Sequence, residues 1–143
     1  MTEQQPVLFV DVDGVLRIKR PYDGKLDPLC VSHLNAISRK TDARIVITST
    51  WRWSWSIAQF NELLDGRVIG ITPDVPPAYA GEYSRFSEIR AWLGLHPEIK
   101  RWLAIDDDVE GFHPHCQHVH LTDPSIGLTS DDVQKIFVLL KHR

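Results

Sequence analysis

Residues 7–16 read VLFVDVDGVL. The side chains from Val7 to Val10 are apolar without a break, and the run is then stopped by Asp11, Val12, Asp13 and Gly14. A short apolar, β-branched run that ends in acid and glycine is how a strand buried on both faces of a parallel sheet reads. A strand is predicted over Val7–Asp13, with its carboxylates at the C-terminal end. Four further runs have the same character: Arg44–Thr50, Val68–Thr72, Trp102–Asp108 and His118–Thr122.

The stretches between these runs have helical spacing. Asp27-Pro28 supplies a cap and a proline at the first helical position, after which Leu29, His33, Leu34 and Ile37 share a face. Ile57, Phe60 and Leu64 repeat in the same way after a serine-rich start, as do Phe86, Ile89 and Leu93 after Ser84. Thr129 and Asp132 form a near capping box ahead of Val133, Ile136, Phe137 and Leu140. Strand alternates with helix throughout. This implies a three-layer α/β fold, Rossmann-like, in which a five-stranded parallel sheet carries helices on both faces and its chemistry at the carboxyl ends of the strands.

Composition bounds the rest. A chain of 143 residues is the size of one domain, so 1–143 is expected to fold as a single unit. With 43% hydrophobic and 24% charged residues it falls among globular proteins, and no apolar run is long enough to span a bilayer. The polar Met1–Pro6 segment gives no export signal, and Cys30 and Cys116 do not suggest a disulfide framework, so a cytoplasmic setting is expected. A net charge of −3 gives no general attraction to nucleic acid, and a polynucleotide substrate would need basic residues concentrated near the site.

Two strands end in clustered acid: Asp11 and Asp13 on the first, Asp106, Asp107 and Asp108 on the fourth. If these ends lie side by side, the carboxylates repel one another unless a cation neutralises them. Magnesium suits such an all-oxygen site and is commonly shared with a substrate phosphate. Gly14 lets the chain turn sharply where a side chain would obstruct a ligand. Acids and glycine also follow strands simply as good turn residues. The second cluster, and the polar end Thr48-Ser49-Thr50 of the second strand, favour phosphate and metal binding over that plainer account.

DVDGVL at 11–16, ITST at 47–50, Arg85 at the start of a helix and LAIDDD at 103–108 resemble, in order, the four motifs of the haloacid dehalogenase (HAD) superfamily. More narrowly, ITSTWR, ITPDVP, SRFSEIRAWL, AIDDD and TDPSIGLT are similar to the small HAD domain of bacterial Swiss-army-knife RNA repair proteins. A phosphorelay receiver would carry its phosphoacceptor on strand three and a lysine on strand five, and a Toprim domain a glutamate on strand one. Neither order is present here.

The resemblance implies a HAD-type phosphatase acting on phosphoric monoesters. Asp11 would be the nucleophile that forms an aspartyl-phosphate, and Asp13 would protonate the leaving oxygen and then activate water. An acid two residues after the nucleophile suits a phosphatase and argues against dehalogenase chemistry. Asp11, Asp107 and the backbone carbonyl of Asp13 would hold Mg2+, with Asp106 either sharing that role or supporting it. Thr48 would bind a phosphate oxygen, with Ser49 as the competing choice. Arg85 stands where the family more often has lysine and would offset charge on the transferring group; the alternative is a solvated helix residue. There is no room for the cap domain that most relatives carry, since 17–25 allows only a flap and 71–84 only a proline-rich loop. An open site suits a nucleic-acid end or a nucleotide. A phosphate-binding module that works beside a partner of an RNA repair or other multi-protein system is the other function carried forward.

Three groups near the motifs invite further assignments. Trp51 and Arg52 are candidates for substrate contact, stacking and pairing next to the phosphate, whereas Trp53 and Trp55 read as core. Arg17, Lys19, Arg20 and Tyr22 form a local basic patch on the flap that could guide a polynucleotide. His113, His115, Cys116, His118 and His120 match no common zinc spacing, and no zinc is expected.

Overall fold

The computed structural model describes residues 5–18, 24–48, 50–76 and 81–141. Ser49, Lys19, Arg20, Tyr22 and the side chains of Arg52 and Trp53 lie outside what is described. The five strands are β1 (Val7–Val10), β2 (Arg44–Ile47), β3 (Val68–Ile71), β4 (Trp102–Asp106) and β5 (Val119–Leu121), all parallel, in the order β3-β2-β1-β4-β5. From β1 the chain winds outward through β2 and β3, then returns to place β4 on β1's other side. The ends of β1 and β4 therefore border the point where the winding reverses, which is where such sheets bind ligands.

Among the described residues four α-helices cover the sheet: α1 (Pro28–Thr41), α2 (Ile57–Leu63), α3 (Ser84–Gly94) and α4 (Ser130–Lys141). Alternation along β1 divides the core. Leu8 and Val10 join an aliphatic cluster with Leu34 and Ile37 of α1, Phe60 of α2 and Ile136 and Leu140 of α4. Val7 and Phe9 face the other way, toward Ile89 and Trp92 of α3 and Phe112. Phe9 meets Trp92 and Trp102 edge-on, at 5.4 and 5.6 Å between ring centroids.

The two caps expected from sequence are present: the Asp27 carboxylate accepts from the Leu29 N–H at 2.9 Å, and Thr129 and Asp132 bond each other's backbone. Ser56 and Gln59 add a reciprocal capping box that the serine-rich start had not specified. The face of α1 differs from the one expected: Leu29 is 64% exposed, and Cys30, Val31, Leu34 and Ile37 make the buried stripe. Rotating the stripe by one residue keeps the same 3.6-residue period, so the pattern alone does not distinguish the two.

The strands are shorter than expected at their carboxyl ends, and the reason is chemical. In β4 the ladder stops at Asp106 because its Oδ1 accepts from the N–H groups of Asp107 and Asp108, at 2.8 and 3.0 Å, and curls the chain over. After β1, the Gly14 N–H donates to the Arg17 carbonyl at 2.9 Å and closes a tight turn. The intervals between β1 and α1 and between β3 and α3, residues 11–27 and 72–83, are too short for an added domain. Among the described residues no helix is long and apolar enough to cross a membrane.

Candidate active site

Asp11 is the first residue beyond β1 and Asp106 the last of β4; they are 5% and 1% exposed. Parallel pairing of the two strands sets them side by side, since Val10 is level with Ile105. Asp11, Asp106 and Asp107 each bring a carboxylate oxygen within 4.8 Å of the others. Burial first, and then the neighbouring Asp106, push the Asp11 carboxyl well above the ordinary carboxylate range, against the pull of Arg85 and the Val12 N–H. Burial likewise pushes Asp106 up to about 6, although Arg85 and the N–H groups of its own loop favour its ionised form. Like charges held this close and this dry attract a cation, and the donors are all oxygen.

Arg85 reaches into this cluster from the first turn of α3. Its Nε lies 3.2 Å from Asp106 Oδ2 and its Nη2 3.8 Å from Asp11 Oδ1, while Nη1 donates to the Thr48 carbonyl. Burial opposes its charge, but Asp11, Asp106 and Glu88 more than offset this and raise its pKa. With its side chain only 16% exposed, Arg85 is not a solvated helix residue. Glu88, one turn on, lies 4.0 Å from Nη1 and accepts from the Thr72 hydroxyl at 3.5 Å.

Asp107 sits against the turn after β1. A Cβ added to Gly14 would fall 2.5 Å from Asp107 Oδ2, and Gly14 has φ +87°, so both the space and the backbone there require glycine. Thr48 is buried at the end of β2, where its N–H donates to the Val10 carbonyl at 3.1 Å.

Asp13 is held from two sides. Its Oδ2 accepts from the Trp51 indole N–H at 3.1 Å, and Arg17 Nη1 lies 3.6 Å from its Oδ1. These contacts bear on two expectations. Trp51 is 5% exposed and forms a wall behind Asp13, which leaves little open ring for a base to stack on. Trp55, expected in the core, is the more accessible of the two. Arg17 is 3% exposed because the Gly14–Arg17 turn folds its side chain inward toward Trp51, so it is not part of an open basic patch.

Three supporting residues escaped sequence reasoning. The Thr122 hydroxyl, past the end of β5, donates to the Gly14 carbonyl at 2.7 Å, and its N–H donates to the Asp106 carbonyl at 2.9 Å, which ties the two acidic loops together. Its position at a strand end was the available signal, the same one that marked Thr48. Gly111 leaves room for Arg85, whose Cβ would lie 2.9 Å from a Cβ placed there. Nothing in the sequence separates it from an ordinary turn glycine. Glu88 was not marked either, although its position one turn beyond Arg85 was a readable cue. The histidines serve separately: His118 stacks on Trp102, His120 pairs with Asp132, and His113 packs against Phe86.

A parallel sheet with buried carboxylates on two neighbouring strand ends, braced by a cation and flanked by a further acid, has the architecture of a HAD-like domain. The chain belongs to the family of the HAD domain in Swiss Army Knife RNA repair proteins, whose model matches residues 7–133. No curated protein matches it.

Proposed function

We propose that this domain, taken as residues 1–143, is a magnesium-dependent phosphomonoesterase acting on phosphorylated nucleic-acid ends or nucleotides. The observation that carries the proposal is the Asp11–Asp106–Asp107 cluster, with its oxygens within 4.8 Å and Arg85 lodged against two of the three. Asp11 attacks phosphorus in line; the bond to the leaving oxygen breaks as that oxygen takes a proton from Asp13, and an aspartyl-phosphate remains. Water, deprotonated by Asp13, then attacks the phosphorus, releases inorganic phosphate and restores Asp11. Trp51 and Arg17 hold the Asp13 carboxylate in place for this role.

Asp107, Asp11 and the Asp13 carbonyl are the groups that would hold Mg2+, which when bound supplies positive charge to the phosphate oxygens. The Oδ1 of Asp106 is engaged by two N–H groups and its Oδ2 faces Arg85, which favours Asp107 over Asp106 as the ligand. Asp106 then serves to aim Arg85 at the transferring group, with Thr48 beside it. Ser49 and Arg52 stay as proposed substrate contacts from sequence alone.

The test is phosphate release from an aryl phosphate and from 3'- and 5'-phosphorylated oligonucleotides, with and without magnesium, comparing wild type with Asp11→Asn. Magnesium-dependent release that the substitution abolishes is the expected result. Absence of release from folded protein would overturn it and leave a phosphate-binding module that acts beside a partner.

A further inference from the structure

Beside Asp13 lies a half-open cavity of about 130 Å³ lined by Asp13, Thr50, Trp51, Ser54 and Trp55. Its floor is built by the short turn Thr50–Trp53 and the residues after it, in which the Ser54 and Trp55 N–H groups both donate to the Trp51 carbonyl, at 3.0 and 2.8 Å. Trp51 is fixed there by its bond to Asp13, and Trp55 packs edge-on against Trp51 and tilted against Phe60, with centroids 5.3 and 5.2 Å apart. Thr50 and Ser54 are exposed members of the lining, and Trp55 is half-buried.

We propose that this cavity receives the pentose that carries the phosphate. The inference rests on the phosphomonoesterase reading, because that reading makes Asp13 the proton donor to the leaving oxygen. The group bonded to that oxygen must then lie next to Asp13, and the cavity is the space found there. Its size decides how much of the leaving group enters. An apolar cavity of about 150 Å³ holds one benzene ring, so about 130 Å³ is the scale of a single sugar ring rather than of a sugar together with its base. The lining suits the same occupant. The half-buried Trp55 ring offers an apolar surface for the C–H face of the pentose, and the Thr50 and Ser54 hydroxyls can each donate to and accept from sugar hydroxyls. The base stays outside the cavity, so recognition here does not depend on its identity.

The test measures, on wild-type protein with magnesium present, how tightly inorganic phosphate, ribose 5-phosphate and 2-deoxyribose 5-phosphate compete against hydrolysis of an aryl phosphate. Both sugar phosphates are expected to bind on the order of tenfold more tightly than inorganic phosphate, the scale of covering one aromatic face. Adding Trp55→Ala removes that advantage. So does Ser54→Tyr, which fills the cavity from an exposed position and guards against a Trp55 variant that fails to fold. A preference for ribose assigns the pentose to RNA or ribonucleotides, and equal binding assigns it to either nucleic acid. If inorganic phosphate binds but the sugars add nothing, or if their advantage survives Ser54→Tyr, the pocket is wrong and the phosphomonoesterase reading is untouched. If the wild-type protein hydrolyses no aryl phosphate at all, the phosphomonoesterase reading fails and takes the pocket with it.

Discussion

The two acidic strand ends look alike in sequence, DVD after β1 and DDD at the end of β4, yet the structure weights local and distant partners differently at the two ends. At the β4 end the backbone partners are local: Asp106 accepts from the next two N–H groups while its other oxygen faces Arg85, and Asp108 accepts from the Glu110 N–H at 3.0 Å and caps a short turn. At the β1 end the partners come largely from a distance: Asp13 is held by Trp51, and Asp11 faces Arg85. Local satisfaction builds a loop, because the side chain is committed to shaping its own backbone. Distant satisfaction builds a site, because the side chain is aimed by other elements and its chemistry depends on the whole fold. Asp107 belongs to the acidic run at β4 but packs against Gly14 of the β1 turn, and so crosses between the two modes.

Gly14→Ala strikes where the two ends touch and carries the largest expected effect. The added methyl overlaps Asp107 and forces a positive φ on alanine, so one loop must move. Magnesium-dependent phosphate release falls by about 100-fold or more, the scale of a misplacement near 1 Å, and urea unfolding shows a loss of about 1–3 kcal/mol. Release within a few-fold of wild type would mean that the contact between the two ends is not needed for the chemistry.

Asp106→Asn and Asp107→Asn sharpen the comparison between a loop-building and a ligand-offering acid. Asparagine at 106 can still accept from the N–H groups of 107 and 108 but loses its ion pair with Arg85. Apparent magnesium affinity, read from the metal dependence of release, should fall on the order of 100-fold for Asp107→Asn and on the order of tenfold for Asp106→Asn, the range over which supporting groups tune metal sites. The reverse order would make Asp106 the principal ligand.

How far the sequence could be read follows from the same division. The sheet and the identity of the acidic ends were legible because an apolar run broken by acid is a local pattern, visible at Val7–Val10 before Asp11. The motif resemblance added Arg85, which periodicity alone would have left on a solvated helix face. What stayed hidden was approach between distant segments. The burial of Trp51 and Arg17, the space Gly111 leaves for Arg85 and the bond from Thr122 to the Gly14 carbonyl all depend on which loops meet. For the same reason spacing could not rank Trp51 and Trp55: it shows that they alternate, and only the packed turn shows that Trp51 faces Asp13 while Trp55 packs against Phe60.

Asp132 combines both modes away from the site and offers the smallest effect. Its Oδ2 accepts from the N–H and hydroxyl of Thr129, its own cap, at 2.9 Å each, and its Oδ1 lies 2.8 Å from Nε2 of the distant His120. Burial works against its ionisation, but His120 and Thr129 together outweigh burial and hold its carboxyl below the ordinary range. Since the folded group is the more acidic, the unfolded chain binds more protons between the two pKa values. The stability it contributes is therefore complete above the unfolded value of about 3.9 and is lost as pH falls through the folded one. Urea midpoints measured from neutral to acid pH should fall less steeply for Asp132→Asn than for wild type in that acid window. Replacing Thr129 by valine should remove part of the difference by taking away the hydroxyl while leaving His120 in place. If Asp132→Asn keeps the wild-type slope, neither the local nor the distant partners bind the carboxylate strongly enough for this pair to illustrate the contrast.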